Sequence, residues 1–228
     1  MGRKQADKAI MSKITTHLYL IRHGEAYSNV DAVLGGMIGD RGLTERGLAQ
    51  VRALANRLAT GEIAADVLYA STLPRARMTA ELVAEALRLP INWDDDLHEL
   101  RPGQADGLRV EEARAQYKNL DLFLHELFTP IAPDGESWGS FQMRVSAALE
   151  RIILRHPGER IVIVAHGGVI EVSFLHLLGL GPQARQRVSF HVRNTAITHW
   201  SYAETESGRQ EWHLVTHNDH RHLIEPKL

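Results

Sequence analysis

The segment Ile161-Val162-Ile163-Val164-Ala165 is apolar at every position and β-branched at four of five. A strand with one face in water would alternate, so this one has to be covered on both faces. Such strands sit inside parallel sheets flanked by helices, and the rest of the chain supplies the parts. His17 to Ile21 reads as another buried strand, followed by a loop rich in glycine (Gly24, Gly35, Gly36, Gly39 and Gly42). Thr44 is placed to cap a helix carrying Leu48, Val51, Leu54 and Leu58, with Gly61 as its stop. Asp66 to Ala70 is a second strand, and Pro74 opens a helix that runs toward Leu89 and is stopped by Pro90. A long amphipathic helix is expected from about Ser140 to His156, with Val145, Leu149, Ile152 and Ile153 on one face. After the apolar strand, Gly167-Gly168 leads directly into a helix from Val169 to Leu178. Val188 to Val192, Ala196 to Tyr202 and Trp212 to Val215 read as further strands. The expected fold is α/β, a three-layer sandwich with a mostly parallel central sheet and helices on both faces.

At 228 residues the chain is sized for one sizeable domain, expected over residues 17–228 behind a flexible tail at residues 1–16. A chain of that length buries roughly 70% of its unfolded surface and needs no disulfide staple. With Cys 0, thiolate nucleophiles and Cys-ligated zinc are excluded. Lys+Arg 26 against Asp+Glu 28 argues against a nucleic-acid-binding surface. The tail has no apolar core of the kind a secretory signal needs, and Ala6 stands where a myristoylation motif requires Ser or Thr. No apolar run approaches the ~20 residues of a membrane span. The expectation is a cytoplasmic protein with no membrane partner.

Arg22-His23-Gly24-Glu25 follows the first strand and His166-Gly167-Gly168 follows the most apolar one. Ligands of open parallel sheets bind beyond the carboxyl ends of the strands, so both histidines point to the place where a site is expected. A lone histidine among 13 is ordinarily a surface or structural residue; two at strand ends, each followed by glycine, break that pattern. Neutral imidazole is a competent nucleophile toward phosphorus. Phosphoryl transfer also needs fixed positive charge and N–H donors around three equatorial oxygens. Arg22 offers a planar fork beside His23, and the helix opening at Gly167 offers free N–H groups and the positive end of its dipole. Arg75 follows the Asp66 to Ala70 strand at the same sheet edge; Arg77 is two residues on and reads as a surface residue.

These residues resemble the histidine phosphatase superfamily, also called phosphoglycerate-mutase-like. The resemblance runs in order through Leu20-Ile-Arg-His-Gly-Glu25 with Asn29, Asp40-Arg-Gly-Leu-Thr44, Ser71-Thr-Leu-Pro-Arg75, Leu97-His-Glu99-Leu-Arg-Pro-Gly103, Pro133-Asp-Gly-Glu136-Ser137, Ile163-Val-Ala-His166-Gly-Gly168, and Asn194-Thr-Ala-Ile-Thr198 with Asn218-Asp-His220. It covers roughly His17 to Leu223. It implies hydrolysis of a small phosphorylated substrate through a phosphohistidine on His23, with no metal or cofactor. Arg22, Asn29, Arg75, His166 and Gly167 would bind the phosphate. Glu99 would protonate the leaving oxygen and then activate water, with Glu25, Asp106 and Glu136 as competing carboxyls. The family's usual Trp-Glu-Gly after the acid segment is replaced by Ala105-Asp106-Gly107.

Alternatives remain at this level. A mutase on the same fold would return the phosphoryl group to a substrate oxygen. Its branch carries Glu-Arg-His-Tyr-Gly after the acid, where this chain has Leu100-Arg101-Pro102-Gly103 behind Glu99. A non-catalytic binding protein is a third reading. Gly135-Glu136-Ser137-Trp138-Gly139 satisfies the serine hydrolase motif, but two prolines precede it where a buried strand is required. Asp94-Asp95-Asp96 and His213, His217, His220 and His222 lack a metal-site arrangement. Specificity is expected from Val30 to Gly42 and from Arg109 to Trp138, whose Tyr117, Phe123, Phe128 and Trp138 either form a lid or pack. Arg41, Arg101 and Arg109 are candidates for a second anionic group.

Overall fold

The computed structural model describes residues 15–122, 126–204 and 209–223. Most of the expected tail, and Phe123, lie outside them. Six strands form one sheet: β1 (Thr16–Arg22), β2 (Val67–Ala70), β3 (Ile91–Trp93), β4 (Arg160–Ala165), β5 (Ile197–Glu204) and β6 (Gln210–Asp219), in the order β3-β2-β4-β1-β5-β6. β1, β2, β3 and β4 pair in parallel; β5 and β6 are antiparallel additions at one side. The main helices are α1 (Glu45–Ala59), α2 (Pro74–Leu87), α3 (Val110–Gln116), α4 (Trp138–Arg155) and α5 (Gly167–Leu177).

The apolar run at β4 is covered on both sides, as its composition requires. Ile161, Ile163 and Ala165 join a cluster with Phe141, Val145 and Leu149 of α4 and Val169 of α5. Val162 and Val164 join the opposite cluster, with Leu54 and Leu58 of α1 and Ala80 and Val83 of α2. Each such side chain taken fully out of water contributes about 1.5–3 kcal/mol. β4 therefore ties the two helical layers together.

Local signals set the helix ends. Thr44 Oγ1 accepts from the Gly47 N–H at 2.9 Å to cap α1, and Pro74 occupies the first turn of α2. α4 begins two residues earlier than expected because Ser137 Oγ accepts from the Ser140 N–H at 3.1 Å. Ser137 is thus a buried helix cap, not a hydrolase nucleophile. Two expectations are corrected. Val188 to Val192 is irregular: the His191 carbonyl accepts from His217 Nε2 (3.1 Å) and the Val192 carbonyl from Arg22 Nη1 (2.7 Å), so this backbone serves side chains rather than a ladder. β3 was not expected, because three residues, Ile91-Asn92-Trp93, are too few to carry an alternation.

Ile163→Ala should lower stability by about 2–5 kcal/mol, since it empties a site packed from all sides. Ser137→Ala should cost only about 1 kcal/mol, the usual worth of a cap. Urea denaturation of both variants checks this order.

Candidate active site

Three neighbouring strands, β2, β4 and β1, end side by side at the same edge of the sheet, and the residues that follow them are Ser71, His166 and His23. The His23 N–H donates to the Ala165 carbonyl (2.9 Å) and the Ser71 N–H to the Val164 carbonyl (3.0 Å), which fixes the three turns against one another. The imidazoles of His23 and His166 consequently lie 5.2 Å apart, centre to centre. The turn leading into β5 adds to the arrangement from the other side, where Asn194 Nδ2 donates to the His23 carbonyl at 3.0 Å.

His23 is 2% exposed, and its two nitrogens have opposite partners. Nδ1 is 2.6 Å from the Gly24 carbonyl, which only accepts, so Nδ1 carries the proton. Nε2 receives Arg75 Nε–H at 3.1 Å, so it carries the lone pair. Burial holds the imidazole well below its ordinary range, and Arg75 and Arg22 push the same way. The result is a neutral imidazole with a nucleophilic nitrogen at a fixed position.

The turn that carries His23 is pressed against the start of α1. A Cβ at Gly47 would stand 2.0 Å from the Glu25 carbonyl oxygen, so only glycine permits this approach. Thr79 of α2 braces the same turn: its Oγ1 accepts from the Gly24 N–H at 3.1 Å and donates to the Arg75 carbonyl at 2.8 Å.

Arg75, in the first turn of α2, is buried against Asp40, whose carboxylate accepts from Nη1 (2.8 Å) and from the Arg75 backbone N–H (3.2 Å). Nη1 also donates to the Gly35 carbonyl at 2.8 Å. Arg77 lies on the surface, over the ring of Trp93. Arg22 is held through Nη1 by the Val192 carbonyl, while its buried Nε finds no partner among the described residues. Arg22, His23, Asn29, Arg75 and Glu99 line a cavity of ≈ 200 Å³.

His166 is fully buried, and burial followed by the nearby Arg75 holds it well below the ordinary imidazole range. Its Nε2 is 2.7 Å from Ser71 Oγ. Leu73 N–H also points at that hydroxyl oxygen (3.3 Å), whose own proton is available to Nε2. The Nδ1 of His166 is buried and without a partner among the described residues. Gly167 begins α5, and a Cβ there would lie 3.7 Å from Arg22 Nε.

The expectation of free N–H groups at the Gly167-Gly168 helix start is corrected at Gly168. The Gly168 N–H is taken by Glu99 Oε2 at 3.0 Å, so the start of α5 orients a carboxylate of the chain itself. Glu99 Oε1 accepts from the Leu100 N–H (3.1 Å). The competing carboxyls are engaged elsewhere. Glu25 accepts from Thr44 Oγ1, and Glu136 holds Arg144 through two hydrogen bonds of 2.7 Å. Asp106 accepts three backbone N–H groups, from Gly36, Ile38 and Gly39, at 2.8 to 3.0 Å. Through that contact Asp106 clamps the loop over the cavity.

Sequence reasoning gave no role to Asp40, Ser71 or Asn194, although all three stand inside the quoted runs. The Val192 contact is a backbone carbonyl and has no sequence signal. Trp138 is core, and Arg41 is paired with Asp31 and lies over the Tyr27 ring. Among the described residues no group of three or more His, Cys, Asp or Glu is arranged to hold a metal ion, and no helix is long and apolar enough to cross a membrane.

Residues 18–220 match the sequence profile of the histidine phosphatase superfamily, branch 1. The chain belongs to that superfamily. A probable phosphoglycerate mutase, GpmB, of Escherichia coli is 31% identical over 212 residues, 92% of this chain and 96% of that one. Among solved structures, phosphoserine phosphatase of Entamoeba histolytica in complex with 3-phosphoglyceric acid superposes with a TM-score of 0.74 at 28% identity, over 92% of this chain and 100% of that one. YhfR of Bacillus stearothermophilus gives 0.73 at 31% identity, over 90% and 97%. These relatives of the histidine phosphatase superfamily are named as a mutase and as a phosphatase, and the fold is common to both.

The buried imidazoles of this superfamily member predict a pH behaviour. Burial and the nearby arginines keep His23 and His166 neutral, so their ring C–H signals should not titrate where an ordinary histidine does. An NMR midpoint near 6.5 for either would contradict the assignment. The unfolded chain takes up those protons near 6.5 and the folded chain does not, so stability is present above that value and declines as pH falls below it. His199 and His222, lowered to about 4 by burial first, extend the decline down toward that value. Thermal denaturation across the range measures it.

Proposed function

We propose that the protein is a phosphatase that hydrolyses a small phosphomonoester through a phosphohistidine on His23, with residues 17–228 as its one catalytic domain. The observation that carries this reading is the locked tautomer of His23, protonated at Nδ1 against Gly24 and with its Nε2 lone pair aimed at Arg75 Nε–H, which the phosphate must draw away before Nε2 attacks. In the first step Nε2 forms a bond to phosphorus and the ester P–O bond breaks. The positive charge that develops on the ring is met by the Gly24 carbonyl at 2.6 Å. Arg22, Arg75 and His166 Nδ1–H take the equatorial oxygens, with Asn29 and the Gly167 N–H beside them. Glu99, entering this step as the carboxylic acid, gives its proton to the leaving oxygen and is left as the carboxylate that the Gly168 and Leu100 N–H groups hold. In the second step water attacks phosphorus, Glu99 takes the water proton, the N–P bond breaks and inorganic phosphate departs.

The name of the Escherichia coli relative favours a second reading, transfer of the phosphoryl group between substrate oxygens. Against it, Glu99 is followed by Leu100-Arg101-Pro102-Gly103 and not by the mutase-type run. Incubation with phosphoglycerates, with free phosphate and isomer exchange measured together, separates the two.

His23→Ala should abolish turnover and the acid-labile phosphoenzyme; turnover that survives would remove His23 from the reaction. Glu99→Gln should slow alkyl phosphates much more than aryl ones, whose leaving groups need less protonation. Gly168→Ala should reproduce that selective loss, because its Cβ would stand 2.2 Å from Glu99 Oε1 and displace the carboxyl. Equal losses on both substrate types in both variants would take Glu99 out of the acid role.

A further inference from the structure

Next to the cavity that holds the cationic floor lies a second one of ≈ 320 Å³, and the two share Glu99, Leu100 and Pro102 as a common wall. Glu99, the proposed acid, stands on that wall, so the leaving oxygen it would protonate lies at the junction of the two cavities. Just above the floor the inner cavity is lined by Val33, Leu34, Leu100, Pro102 and Ile131. The outer cavity changes sign: Asp95, Asp106 and Asp134 line it against Arg101. Arg101 Nη2 donates to the Asp95 carbonyl at 3.1 Å and lies among these carboxylates. Arg41, which could have turned toward an anion, is spent on Asp31. His98, at the same wall, is buried and engaged at Nε2 by Thr72 Oγ1 at 2.6 Å. The approach to a strongly cationic floor is thus apolar first and electronegative beyond.

We infer that the substrate is a phosphomonoester whose alcohol portion is neutral or cationic, an alkyl or aminoalkyl phosphate, and that this vestibule discriminates against a second anionic group. The inference rests on the phosphatase reading and gives it a substrate class. The phosphate is attracted by Arg22 and Arg75, whereas a carboxylate two or three bonds further out meets the like charges of Asp95 and Asp134 at the solvent-exposed mouth, a repulsion that salt screens. An ammonium there meets the same two groups with the opposite sign.

Three chain-matched esters test this: 3-aminopropyl phosphate, butyl phosphate and 2-carboxyethyl phosphate. The expected order of kcat/KM is aminopropyl at least equal to butyl, and both at least ~10-fold above carboxyethyl, with the gap narrowing as salt is raised. The cause is tested with the double variant D95N D134N. Asp95 has a side chain 72% exposed. Asp134 sits at φ 59, a conformation that asparagine adopts readily, so neither change should disturb the fold. The variant should raise carboxyethyl phosphate several-fold and leave butyl phosphate unchanged. Carboxyethyl phosphate hydrolysed as well as butyl phosphate by the unaltered protein overturns the inference and leaves the phosphatase reading standing. A gap unmoved by D95N D134N overturns it too, since the vestibule charge is its stated cause. If none of the three esters, nor 4-nitrophenyl phosphate, is hydrolysed and no phosphoenzyme forms, the phosphatase reading itself falls.

Discussion

The buried pair of Arg75 and Asp40 is the interaction on which the rest of the site depends. Burying a guanidinium at 5% side-chain exposure without a partner is costly, and the Asp40 carboxylate, at 0%, supplies the partner. That one contact does three things. It sets the entry of α2, because Asp40 also accepts the Arg75 backbone N–H. It draws the glycine-rich loop over the cavity, because Asp40 and the Gly35 carbonyl both belong to that loop. And it leaves Arg75 Nε free to address the His23 lone pair. Remove the carboxylate and the cation is left buried without a counter-charge, held only by the Gly35 carbonyl and the neutral imidazole of His23.

The start of α5 illustrates how a general rule is redirected by its surroundings. A helix N-terminus is a ready site for an anion. Here the anion is one of the chain's own carboxylates, Glu99, and it is delivered by a braced segment: Arg144 Nη1 donates to the carbonyls of Asp96 and His98 at 2.7 and 3.1 Å, and Nη2 to that of Glu99 at 3.3 Å. Glu136 holds Arg144 in turn. Two of the carboxyls that competed for the acid role are thus part of the apparatus around Glu99. Glu136 fixes the arginine that positions it, and Asp106 fixes the loop opposite. The shift from Trp-Glu-Gly to Ala105-Asp106-Gly107 keeps a carboxylate available for that clamp.

Legibility in the sequence follows the range of the interactions. The layers were readable because β4 is apolar at every position and its helices repeat at three to four residues, both local patterns. β3 escaped notice at three residues, and the segment from Val188 to Val192 was misread because apolar residues there line a crossing backbone that offers its carbonyls to His217 and Arg22. The site divides the same way. His23 and His166 announced themselves by following strands. That Ser71 would meet His166 Nε2, or that Asp40 would neutralise Arg75, depends on turns from different strands meeting at one edge, which no single stretch of sequence specifies.

The same geometry bears on what separates hydrolysis from transfer within one superfamily. Once a phosphohistidine has formed and the alcohol has left, its fate is a competition between water, which is always present, and an alcohol that must be held in place to compete. Retention requires contacts made by the parts of the alcohol that do not react. A carboxylated alcohol such as a phosphoglycerate offers chiefly its carboxylate for that purpose, and the vestibule meets it with Asp95, Asp106 and Asp134 against Arg101. Under the proposed phosphatase reading the product of the first step is therefore released rather than kept. Water then reaches phosphorus beside Glu99, and hydrolysis follows from how weakly the outer cavity would hold what the inner one has cleaved.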